Sequence, residues 1–88
     1  MPWLHSREVA YIGADTAQDA EPTGYDNIFM PVHTVGLVAM GLWLVDNCDL
    51  EAAATTAERL QQWDFHSSVC PVRFAGTSGS PVNPIATF

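Results

Sequence analysis

The chain has no lysine and only three basic residues, Arg7, Arg59 and Arg73, against ten carboxylates in 88 positions. The formal net charge is −7 and the arginines are scattered. Phosphate backbones are bound by clustered Lys and Arg, so no nucleic acid partner is expected. Long apolar runs are lacking as well. The longest, residues 35–45, falls short of the roughly 18 to 20 apolar residues that cross a bilayer, so no membrane partner is expected either. Residues 1–8, MPWLHSRE, have neither the basic start nor the apolar block of a signal peptide, which makes a cytoplasmic location the default expectation.

Cysteine is scarce. Cys48 and Cys70 form no CxxC and no disulfide-rich pattern, so each reads as a reduced thiol used as a small apolar residue, with a disulfide between them as the alternative. There are no internal repeats and no low-complexity tract. The Gly76-Thr77-Ser78-Gly79-Ser80 turn lacks the strand-to-helix setting and terminal lysine of a phosphate loop.

What the chain has in quantity is apolar surface. Its composition is 48% hydrophobic and 15% charged, high for one small domain. A domain of this size buries only about 60 to 65% of its unfolded surface, so its core is thin. The excess is expected to meet something larger, such as a partner subunit or the remainder of a domain.

A helical turn is expected after Pro2, over residues 3–7, then a strand over residues 8–13 ended by Gly13. Residues 14–27 are polar, with Asp15, Asp19, Glu21 and Asp26 beside Pro22 and Gly24, and form a loop long enough to cover a site. Residues 32–42 are apolar on nearly every face and fit a buried helix that ends at Gly41. Strand character then carries residues 42–45 to Asp46. Asn47 and Asp49 are N-cap candidates for a helix over residues 50–62, with Leu50, Ala53, Ala54, Ala57 and Leu60 as its apolar stripe. Residues 65–74 and 82–88 read as strands around the turn at residues 76–81, with Pro71 at an edge or bulge and Pro84 weakening the last strand. The order β-loop-α-β-α-β-β places the chain in a mixed α/β or α+β class, as one unit over residues 1–88.

The most informative stretch runs from His33 to Asp46, thirteen positions bracketing a segment without charge. Charge inside a buried element carries a heavy desolvation penalty, so such an element presents ionisable groups at its ends. An ordinary core helix with a terminal histidine and a turn or cap aspartate has the same appearance. Asp15 reads as a solvated turn residue or a loop carboxylate facing a site. His5 and His66 read as ordinary surface or strand histidines, and Trp43 and Trp63 as core aromatics.

Two segments, PVHTVGLVAMGLWLVDNCDL (residues 31–50) and VCPVRFAGTSGSPVNPIA (residues 69–86), resemble the cyclase family of metal-dependent hydrolases, which includes kynurenine formamidase (arylformamidase). PWLH (residues 2–5) and GADT (residues 13–16) are similar to the preceding segment of longer members. The resemblance implies the C-terminal portion of a cyclase-like swivelling β/β/α domain. It implies His33 as a catalytic acid/base and Asp46 as a ligand of a divalent metal, zinc or manganese, in the complete domain. The implied substrate is a small molecule with an amide or ester bond, such as N-formylkynurenine in tryptophan catabolism.

The family's H-x-G-T-H-x-D-x-P-x-H motif has no counterpart among His5, His33 and His66, which lie 28 and 33 positions apart. Tight metal binding and activity are therefore not expected from this chain alone, and Met1 is expected to be an internal start, a truncation point or the beginning of a separately encoded piece. Kynurenine formamidases carry Glu where Asp46 stands, one position closer to the histidine, so metal preference and substrate are expected to differ. A homo-oligomer, or a partner chain supplying the missing part, completes this expectation. The competing reading is a non-catalytic interaction module that binds a partner through its apolar helix.

Overall fold

The computed structural model describes residues 1–88 as a small mixed α/β protein with short helices and two small sheets. It divides into two units, Met1–Cys48 and Asp49–Phe88. No helix is long and apolar enough to cross a membrane.

In the first unit, α1 (Pro2–Ser6) begins with proline, whose missing N–H costs nothing in the first helical turn. The chain turns at Glu8, where φ is 53°, so β1 is shorter than the sequence pattern indicates and spans Tyr11–Gly13. A long irregular loop follows, up to Met30. Helix α2 opens at Pro31–His33 and continues without a break as a π-helical segment, Thr34–Met40. Gly41 ends it at φ 65°, a left-handed conformation that glycine adopts without a Cβ clash. Strand β2 (Trp43–Val45) pairs parallel to β1, with Tyr11 opposite Trp43 and Gly13 opposite Val45. Parallel strands need a crossover of a dozen or more residues, and the loop and helix supply it.

Leu42, 1% exposed, and Val45 are the buried hydrophobic residues of this unit. Gly36 is the buried residue of the π-helical segment, and a Cβ there would lie 3.6 Å from a Leu44 methyl. That distance is ordinary van der Waals contact, so the helix packs on the strand at this position with room for a methyl group on the Leu44 side. Around Gly36, the apolar residues Val35, Leu37 and Val38 are exposed, so the helix expected to be buried on all faces is covered on one. Trp43, expected in the core, is 56% exposed. Its strand has one neighbour in the sheet, β1.

In the second unit, α3 (Glu51–Leu60) takes Leu50 as its N-cap rather than Asn47 or Asp49. Asp49 still serves the helix start, accepting a hydrogen bond from the Glu51 N–H at 3.3 Å. Of the expected apolar stripe, Ala57 is buried, Ala53 half-buried, and Leu50, Ala54 and Leu60 exposed. Strands β3 (His66–Ser68) and β4 (Ile85–Thr87) pair antiparallel, and Phe65 meets Phe88 at a centroid distance of 5.1 Å just beyond the ladder. Both strands are shorter than the sequence pattern, since Pro71 and Pro84 cannot donate to a ladder. The Val72 N–H bonds the Ser80 hydroxyl at 2.7 Å instead. Trp63, also expected in the core, is exposed. Both cysteines are free thiols; Cys48 is half-buried, whereas Cys70 lies on the surface and does not act as a core residue.

Candidate functional site

Parallel pairing brings the carboxyl ends of β1 and β2 side by side, and the Ala14 N–H continues the ladder to the Val45 carbonyl at 3.1 Å. Ligands of α/β sheets collect beyond the carboxyl ends of strands. Asp46 is the first residue past β2, and the next residue, Asn47, turns away at φ 55°, in the left-handed region that asparagine tolerates. On the other side, Met30 holds φ 49° immediately before α2, a sparsely populated conformation for a long side chain. The turn at Met30 sets the direction of the helix, and His33 lies in its first turn.

His33 and Asp46 meet. His33 Nε2 lies 2.9 Å from Asp46 Oδ2. The other ring nitrogen, Nδ1, lies 2.5 Å from Oδ2 of Asp19, a loop residue that the sequence pattern did not single out. Asp19 also accepts the Val32 N–H on Oδ1 at 2.6 Å and the His33 N–H on Oδ2 at 3.0 Å. Its side chain is 4% exposed, against 18% for His33 and 25% for Asp46. Gln18 completes the frame: its N–H reaches Asp46 Oδ1 at 3.2 Å, and its amide nitrogen donates to the carbonyls of Ile12 and Val45 at 3.3 and 3.4 Å.

The imidazole is thus clamped between two carboxylates. Its pKa is raised above the ordinary 6.5 by the Asp19 hydrogen bond; partial burial opposes the rise, and the hydrogen bond and charge of Asp46 add to it. Burial pushes the Asp19 carboxyl up, but the N–H donors of Val32 and His33 and the imidazole together outweigh it, and the pKa lies below 3.8. Asp19 is therefore ionised at neutral pH, and an ionised carboxylate only accepts hydrogen bonds. Such an acceptor favours a proton on the ring nitrogen that faces it.

Compared with known proteins, the chain matches no family model, no curated protein and no solved structure.

The clamp suits proton transfer and does not by itself suit a metal ion. Asp19 and Asp46 sit at opposite nitrogens of one ring, so their oxygens diverge, and no group of three His, Cys, Asp or Glu side chains could hold a metal ion. Asp46 offers a hard carboxylate oxygen, a donor type that divalent metal ions accept. The remaining sequence candidates lie apart from this cluster in role: Asp15, His5 and His66 are exposed. Asp15 is a surface residue, and Asp19 is the loop carboxylate that faces the site. A weak signal for Asp19 exists, since the loop returns to α2 through the proline-started turn whose orphan N–H groups call for an acceptor.

Proposed function

We propose that this chain is the C-terminal portion of a cyclase-type, metal-dependent hydrolase, cytoplasmic, that cleaves an amide or ester bond of a small molecule such as N-formylkynurenine. His33 acts as the acid/base, and Asp46 is the chain's contribution to a zinc or manganese site whose other ligands lie outside residues 1–88. A partner chain or a longer chain supplies them, in a homo-oligomer or a complex of unlike chains. The observation that carries the reading is the contact of His33 Nε2 with Asp46 at 2.9 Å, at the carboxyl end of a parallel strand pair. Two residues singled out for their chemistry, thirteen positions apart, share one site.

A general acid must hold its proton near neutral pH and release it to a leaving group within hydrogen-bond reach. The raised pKa favours the protonated form of His33, and its side chain is partly exposed. Asp46 stabilises the imidazolium until a substrate takes its place.

The test is metal content and hydrolysis of N-formylkynurenine and simple aryl esters, first with the 88-residue chain and then with a chain carrying the H-x-G-T-H-x-D-x-P-x-H motif added. The expected result is activity only in the mixture, abolished by His33→Gln. Stoichiometric metal binding with turnover by the 88-residue chain alone overturns the shared-site reading.

A second reading, a non-catalytic module that binds a partner through its helix, is favoured by a different observation. Val38 is 83% exposed, beside exposed Val35 and Leu37, on a helix without charge. Size-exclusion chromatography with light scattering separates the readings, because a well-behaved monomer opposes an obligate partner.

A further inference from the structure

We propose that Asp19 is the positioning residue of this site: it holds a proton on His33 Nδ1, fixes the ring plane, and leaves Nε2 as the nitrogen that exchanges protons. The inference rests on the reading of His33 as an acid/base and adds which nitrogen works and what orients it.

Asp19 gathers three donors. Oδ1 takes the Val32 N–H at 2.6 Å, and Oδ2 takes both the His33 N–H at 3.0 Å and the His33 ring at 2.5 Å. The two backbone bonds lock the carboxylate relative to the helix that carries His33, so the ring has one orientation that satisfies all three. Asp46 is held differently. It is the more exposed carboxylate, 25% against 4%, and its second oxygen has a single N–H partner, from Gln18 at 3.2 Å. Of the two carboxylates, Asp46 can yield its bond to a substrate or a ligand, and Asp19 cannot move without releasing the start of α2. The division follows a general pattern in which the hydrogen bond at one imidazole nitrogen sets the chemistry of the other. A buried aspartate that holds the tautomer of a catalytic histidine plays the same part in serine hydrolases.

Asp19 and His33 also close the neck of the loop at residues 20–32, so one carboxylate fixes both the loop ends and the imidazole. A purely structural role, capping the first turn of α2, accounts for the two backbone bonds but makes no demand on the ring.

The experiment is nitrogen-15 NMR of the His33 ring in the full 88-residue chain, at a pH where the ring is neutral, for wild type, Asp19→Asn and Asp19→Ser. Free histidine favours the proton on Nε2, whereas the proposal requires it on Nδ1 in the wild type. Asparagine presents an oxygen that can reach the same donors and is expected to keep the Nδ1–H tautomer. Serine still caps a helix but is too short to reach the ring, and its variant is expected to revert to Nε2–H. A wild-type ring with Nε2–H, or one that mixes both tautomers, overturns the proposal, and this measurement needs no variant to fold. Ring shifts unchanged in Asp19→Ser overturn it as well. Because the readout is the ring itself, it stands apart from the hydrolysis test: absence of activity in the completed enzyme rejects the acid/base reading whatever the tautomer.

Discussion

Nδ1 of His33 lies 2.5 Å from Oδ2 of Asp19, and the same carboxylate accepts the backbone N–H of His33, so one loop residue fixes both the main chain and the ring of the helix residue. This double hold has consequences for pH. The His33 pKa is raised above 6.5, so its contribution to stability is complete below that pH and is lost as pH rises through the folded-state value. The Asp19 pKa is lowered below 3.8, so its contribution is complete above that pH and is lost as pH falls through the folded-state value. Urea midpoints measured against pH are expected to be highest between roughly 4 and 6.5 and to decline on both sides. His33→Gln is expected to remove the alkaline decline, and a midpoint that still falls above neutral pH in that variant places the cause elsewhere.

Leu42 is 1% exposed and carries much of a small core. Leu42→Ala is expected to destabilise the protein by about 2 to 5 kcal/mol, through lost transfer energy and the cavity left behind. Folded stability is marginal in domains this small, so the variant is expected to be largely unfolded by circular dichroism. A loss below about 1 kcal/mol would mean that the site collapses freely around the missing side chain.

Gly41 ends the π-helical segment at φ 65°, and a Cβ built there would meet nothing within 4 Å. Gly41→Ala therefore tests backbone strain without a clash. The expected cost is about 1 kcal/mol, read as a lowered thermal midpoint, with Asp46 and His33 still hydrogen-bonded. Gly36→Ala is the contrast, since φ there is not left-handed and its Cβ would crowd only the Met1 methyl at 3.3 Å, while the Leu44 methyls at 3.6 and 3.7 Å are ordinary contacts.

Val38 tests the exposed helix face. Substitution by serine at a position 83% exposed is expected to change the stability of the isolated chain by less than about 0.5 kcal/mol. If that face is covered in a complex, the same variant is expected to weaken association in light scattering by about tenfold or more. An association constant equal to wild type would remove residues 35–38 from the interface.

Much of the local structure was legible in the residues. Pro2 starts a helical turn, Gly41 stops one, Pro71 and Pro84 shorten strands, and the polar composition of residues 14–27 marks a loop, because each of these acts through its own backbone or its immediate neighbours. Burial was not legible. Trp43 and Trp63 have core composition yet lie exposed, because burial depends on which layers exist to cover a face. A periodic pattern describes the face and not its cover. Asp19 was hidden for a related reason. Among Asp15, Asp19, Glu21 and Asp26, the residue type is nearly constant and only the path of the loop distinguishes them.

The sequence by itself determined a thin, acidic, mixed α/β chain with an uncharged helix–strand segment between His33 and Asp46. Those properties follow from composition and from short-range rules of backbone conformation. Tertiary structure decided that His33 and Asp46 touch, that Asp19 rather than Asp15 takes the second ring nitrogen, and that Gln18 braces the strand ends. These contacts join residues 13, 14, 27 and 28 positions apart. Their geometry is set by parallel strand register and the turn at Met30, and no local pattern encodes it.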